Sequence, residues 1–90
     1  MVEVNGSCDY FCHPAALHLK DNNKWELFRT LYLFLETGEQ LSETARILGV
    51  HRNTVSYRLE AINDLCGINI VGLADKEKWL IRFSYRLLTA

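Results

Sequence analysis

Apolar residues recur along this chain mostly at helical spacing. Residues 1–12 show no sustained period and read as a leader or the end of a linker, part of it open to an origin in the expression vector. His13-Pro14 then looks like a helix start, since proline is tolerated in a first turn whose amides lack intrahelical partners. A short helix follows and ends near Asp21-Asn22-Asn23. Asn23 is the expected cap of a stronger helix over 24–37, closed by Gly38. Within it Leu27, Phe28, Leu31, Phe34 and Leu35 form one stripe, while Trp25, Tyr32 and Leu33 lie off it. A helix apolar over most of its circumference is buried on more than one side. Trp25 and Tyr32 are therefore either core or the contact of a dimer. After a polar corner, Val55, Leu59, Ile62 and Cys66 make the next stripe, and Gly67 ends that helix. Residues 68–71 read as a short extended stretch, with no hairpin to make a wing. A last helix over 75–88 carries Trp79, Leu80, Phe83 and Leu87 as its expected core stripe, with Ile81, Tyr85 and Leu88 beside it. The fold class is all-α: a small bundle of about five helices.

Residues 41–59 organise the rest, reading as two short helices across a tight corner. Ser42 is the expected N-cap of the first, its hydroxyl accepting from a first-turn amide. Ala45 is small where the second helix crosses closest. Gly49 falls where the first helix must stop with positive φ, which glycine adopts without a Cβ clash. Val50 fills the corner. With Val55 and Leu59 inward, His51, Arg52, Asn53, Ser56, Tyr57 and Glu60 are left facing out of the second helix. Arginine, asparagine and serine are side chains that reach base edges in a major groove.

The pattern Thr44-Ala45-x-x-Leu48-x-Val50-His51-Arg52-Asn53-Thr54-Val55-x-Tyr57-Arg58-Leu59 resembles the C-terminal DNA-binding domain of PucR/CdaR-type bacterial transcription regulators. His13-Pro14-Ala15 and Leu65-Cys66-Gly67-Ile68-Asn69-Ile70 sit where that family has comparable segments, so the likeness extends over roughly residues 13–88. The corner is also similar to the Fis-type helix-turn-helix. Arg58 stands where phage-repressor versions usually carry an aliphatic residue, and Leu59 supplies the inward contact instead. The resemblance implies sequence-specific binding of double-stranded DNA, with a recognition helix over about 51–66 in the major groove. It implies His51, Arg52, Asn53, Thr54 and Ser56 as the groove-facing set, with Arg52 forking onto a guanine and His51 also capping its helix. Tyr57 and Arg58 are implied phosphate contacts, with Ser42 and Thr44 at the head of the first helix. In that family the domain ends a longer, ligand-responsive regulator, so the expected context is a fragment without its upstream sensor domain.

Composition tempers this picture. Ninety residues allow one domain, and the net charge of −1 provides no global basic signature. Nucleic-acid affinity must then come from a local patch. Residues 50–59 hold two arginines and a histidine with no carboxylate, which is where phosphate repulsion would be felt most. Affinity from so small a patch is modest, and a homodimer presenting two such helices about 34 Å apart is the expected remedy. Apolar residues make up 49% of the chain, a surplus that points to surface covered by a second copy or a missing domain. Lys78, Arg82 and Arg86, at i, i+4 and i+8, read as a solvated basic line, with phosphate contact as its alternative.

Other chemistries find little support. Cys8, Cys12 and Cys66 are an odd number in a chain lacking a recognisable signal peptide or membrane span, so free thiols in a reducing cytoplasm are expected. Cys8-x-x-x-Cys12-His13 lacks a fourth ligand at zinc spacing. His18 reads as an ordinary helix-surface histidine. No Ser/His/Asp constellation or phosphate-binding glycine loop is present, so no enzyme and no cofactor are expected. The rival reading is a helical protein-interaction or dimerisation module that binds no nucleic acid.

Overall fold

The computed structural model describes residues 12–90. The expected leader, with Cys8, lies outside the described residues apart from Cys12. Five α-helices follow in order: α1 Pro14–Asp21, α2 Trp25–Glu36, α3 Leu41–Leu48, α4 Arg52–Cys66 and α5 Asp75–Thr89, with a single 3-10 turn at Ile70–Gly72 before the last. No strand occurs among the described residues. Residues 68–71 are thus not the extended segment their composition suggests. The Ile70 amide donates to Asn63 Oδ1 at 3.1 Å and the Ile70 side chain is buried, so a side-chain hydrogen bond folds this stretch into a plug under α4.

The ends of α1 to α4 share one solution. Each closes with a residue at positive φ: Asn23 (57°), Gly38 (76°), Gly49 (72°) and Gly67 (66°). Beyond each, an amide reaches back to a carbonyl five residues earlier, as from Val50 to Ala45 at 3.0 Å and from Glu39 to Phe34 at 2.7 Å. This arrangement satisfies carbonyls that the end of a helix would otherwise orphan. Asn23 is therefore the terminator of α1 and not the cap of α2, whose N-cap is Lys24 without a side-chain bond. Asparagine tolerates the left-handed region, and here that property outweighs its capping one. Ser42 is displaced in the same way: Gln40 is the N-cap and Ser42 lies inside the first turn of α3.

Every other helix packs on α2. Phe28 and Leu31 are fully buried, and Phe34 and Leu35 nearly so, against Leu19, Ala45, Val55, Ile62 and Ile81. Each such side chain contributes roughly 1.5–3 kcal/mol of hydrophobic burial. The rings that lay off the predicted stripe are committed to this packing. Trp25 stacks on Phe28 at 5.7 Å, and Tyr32 stacks on Tyr85 at 4.4 Å. Both rings remain half-buried.

The inward face of α5 differs from the expected one. Ile81 and Ser84 are buried, whereas Trp79 and Phe83 are exposed. Two apolar stripes run along this helix, and the sequence alone favours the larger residues. The choice is made by Ser84, whose hydroxyl accepts from the His13 amide at 3.0 Å and donates to the Leu80 carbonyl at 2.7 Å. Only a small side chain lets α1 approach this closely. The basic line is engaged within the fold: Lys78 pairs with Glu39 at 2.5 Å, and Arg82 and Arg86 both approach Glu36, at 3.9 and 3.4 Å, although Arg86 stays largely in solvent. These pairs fasten α5 to the C-terminal end of α2 and to the loop that follows it.

Candidate nucleic-acid interface

Three features shape the helix-turn-helix corner. Thr37 and Thr44 bring their hydroxyls to 3.1 Å across the α2–α3 junction, and Thr44 Oγ1 also donates to the Gln40 carbonyl at 2.7 Å. Gly49 then turns the chain in the left-handed region, with open space where a Cβ would stand, so its requirement is one of backbone conformation and not of room. His51 completes the corner. Its Nδ1 accepts the Asn53 amide at 3.0 Å, as the N-cap of α4, while the Thr54 amide donates to the His51 carbonyl at 2.9 Å. An Nδ1 that accepts leaves the proton of the neutral ring on Nε2, and this nitrogen lies on an exposed residue.

From this start, Val55, Leu59 and Ile62 point into the core. His51, Arg52, Asn53 and Tyr57 are exposed, and Ser56 is half-buried on the flank. Tyr57 keeps 72% of its surface in solvent, a large cost in apolar area for a side chain with no partner in the fold. Arg52 has no ion-pair partner among the described residues, and the first turn of α4 holds no carboxylate. Glu60 and Asp64 are exposed further along the helix, so the region free of negative charge is its first two turns. On α3, Ser42 is exposed beside it. Glu43 and Arg46 pair on the surface of that helix; the guanidinium's hydrogen bond holds the Glu43 carboxyl below the usual carboxylate range and raises Arg46.

Two residues of the expected set lie elsewhere. Thr44 is fully buried with its hydroxyl engaged, so it supports the corner and presents nothing to a phosphate. Arg58 turns back onto α2, where NH2 donates to Glu26 Oε2 at 3.0 Å and NH1 to Thr30 Oγ1 at 3.3 Å, leaving 17% of its side chain exposed. It acts as a strut between α4 and α2. Thr54, half-buried, faces the same flank. Glu26 and Thr30 were missed as determinants of this site. Thr30, a polar residue between Arg29 and the apolar Leu31, is the one signal in the sequence that could have pointed to it.

Cys66 sits at the far end of α4, its thiol 3.8 Å from the Ala15 carbonyl and pushed up in pKa by burial. Among the described residues no helix is long and apolar enough to cross a membrane.

A family model described as the PucR C-terminal helix-turn-helix domain matches residues 27–79, from α2 into α5. The purine catabolism regulatory protein of Bacillus subtilis is 52% identical over 52 residues, 58% of this chain and 10% of that protein. The transcriptional activator PmfR of Paenarthrobacter nicotinovorans is 40% identical over 57 residues, 63% of this chain and 12% of that protein. The carbohydrate diacid regulator of Escherichia coli is 37% identical over 62 residues, 69% of this chain and 16% of that protein. The chain therefore spans less than a fifth of the length of these relatives. No solved structure matches it significantly.

Proposed function

The chain belongs to the family of PucR C-terminal helix-turn-helix domains, and from that premise we propose that it binds double-stranded DNA sequence-specifically, with the first two turns of α4 in the major groove. The observation that carries this reading is a contrast within α4. Arg58 is tied to Glu26 and Thr30, whereas Arg52, six residues earlier, is exposed and unpaired at a helix start free of carboxylates. An unpaired guanidinium beside an exposed amide and an imidazole N–H is a set of donors waiting for acceptors. In the groove, Arg52 forks onto the O6 and N7 of a guanine, and Asn53 suits an adenine edge. His51 offers Nε2–H, and Ser56 flanks the base-reading side. Tyr57 and Ser42 reach phosphates and set the register without reading sequence. Thr44 and Arg58 hold the reading helix in place.

The names of the relatives describe regulators, and we extend that role to this chain as the DNA-binding part of a longer, ligand-responsive transcription regulator with its sensor domain upstream. Selection of bound sequences from a random duplex pool, followed by titration of the winner at two salt concentrations, tests the reading. The expected result is an enriched site whose affinity falls steeply with salt, because bound phosphates release their counterions. A flat salt response with no enriched site would instead favour the docking module, which the exposed Trp79 and Phe83 support.

A further inference from the structure

The outer face of α5 is unusual for a helix that already has a buried one. Trp79 and Phe83, 55% and 38% exposed, stack on each other at 5.2 Å and 9°. They wall a notch of about 280 Å³ whose other lining residues are Glu36, Arg82 and Arg86. The charge in this notch is unbalanced, since two guanidiniums share the single Glu36 carboxylate. Arg82 Nε is moreover buried without a hydrogen-bond partner among the described residues. The face thus lacks two things: apolar cover over a pair of rings, and one further carboxylate.

The same helix holds the missing carboxylate. Asp75, at the head of α5, is exposed and has no ion-pair partner among the described residues. At about 100° per residue, Asp75, Trp79, Arg82, Phe83 and Arg86 fall within an arc of roughly 100°. If two copies of α5 lie antiparallel about a twofold axis level with position 81, position 79 of each faces position 83 of the other. Position 75 then falls opposite 87, within about 1.5 Å along the axis of Arg86 on the second copy. A twofold axis perpendicular to the helices keeps each flank on its own side, and Asp75 and Arg86 share a flank of the ring pair. The face is therefore self-complementary in shape and charge, as a two-fold interface requires.

We infer that the chain forms a homodimer through antiparallel pairing of α5, in which Trp79 packs on Phe83 of the second copy and Asp75 pairs with Arg86 of the second copy. The contact lies on a helix whose other side packs on α1 and α2. It does not rest on the DNA reading, because the assembly is measured without DNA.

Sedimentation equilibrium of the whole chain is the primary test, with circular dichroism to show that each variant is folded. The parent should be dimeric at concentrations of ~100 μM. Phe83→Glu, which sets a carboxylate against Trp79 of the second copy, and Asp75→Arg, which sets cation against cation, should each weaken the dimer by about tenfold or more. A parallel measurement needs no change in the interface. In Trp25→Phe, the remaining indole is Trp79, and its emission should move to shorter wavelength as the chain is concentrated and the ring is covered. A monomeric parent, an Asp75→Arg dimer as tight as the parent's, or Trp79 emission independent of concentration would each overturn the inference. A monomer would hand this face to another part of the longer regulator.

Discussion

Two histidines start two helices in this domain by the same device, to different ends. His13 caps α1 and His51 caps α4, each accepting the amide two residues on through Nδ1 at 3.0 Å. His13 is buried, donates its backbone N–H to Ser84, and places Nε2 3.3 Å from Glu77. Its backbone N–H and Nε2 join α1 to α5, while Nδ1 and the carbonyl serve the first turn of α1 itself. His51 stands in solvent, with its Nε2 directed at nothing in the fold. Local sequence sets up the cap in both cases, and the neighbouring helices decide whether the other ring nitrogen is spent internally or left for a ligand. The same division separates Arg58, locked onto α2, from Arg52.

Substitution should separate the two roles, with the largest effect at the buried cap. His13→Ala should cost about 2–3 kcal/mol of stability, through the lost cap and the unpaired groups left behind, with DNA affinity unchanged in the folded fraction. Urea titration monitored by circular dichroism measures it, and a variant as stable as the parent would remove the structural half of the comparison. Arg52→Ala should leave the melting curve unmoved and weaken the preferred duplex by about 1–3 kcal/mol, with relaxed preference at one base pair. Full affinity and preference in that variant would sink the reading of α4 as a recognition helix. Arg58→Ala should behave oppositely: it loses roughly 1–2 kcal/mol of folding stability, because Thr30 and Glu26 lose their partner, and loses affinity only as far as α4 loosens. A uniform affinity loss with a flatter salt slope and unchanged melting would return Arg58 to the phosphate contacts.

Smaller effects sharpen the corner. His51→Ala should cost about 1 kcal/mol as a lost cap, with some loss of DNA affinity, so that unlike His13 it registers in both assays. The Glu43–Arg46 pair should be the quietest. Its carboxyl is depressed in the folded state by the Arg46 hydrogen bond, so its contribution is present above the ordinary Glu range and disappears as pH falls through the lowered folded value. Both groups are exposed, and Glu43→Gln should change stability barely above error at pH 7. An NMR titration of the Glu43 carboxyl checks the direction, and an ordinary or raised value would show that the pair does not hold in solution.

Much of the domain was legible in the chain, for reasons confined to a few neighbouring residues. Gly49 announces positive φ, Gly67 announces a helix end, and the inward spacing of Val55, Leu59 and Ile62 follows from the helical period alone; His51 as a cap comes from the family resemblance. The errors are equally instructive. Asn23 and Ser42 both have capping chemistry, yet each sits one or two positions from where its helix begins, because neighbouring turns compete for the same residues. Periodicity likewise offered two apolar faces on α5 and favoured the one with Trp79 and Phe83, which the structure leaves outward.

The sequence by itself determined the five helices among the described residues, the corner between α3 and α4, and the outward character of the start of α4. These depend on backbone preference and on a period of 3.6 residues, and both are local. Only the tertiary structure decided that Arg58 and Thr44 serve the fold, that Lys78, Arg82 and Arg86 fasten α5 to α2 and the loop after it, and that Trp79 and Phe83 face outward while Ser84 faces in. Each of those outcomes turns on a partner distant in the chain. Glu26 lies 32 residues from Arg58 and His13 lies 71 from Ser84. A long charged side chain goes to whichever opposite charge the packing brings within reach, and no reading of its own segment contains that information.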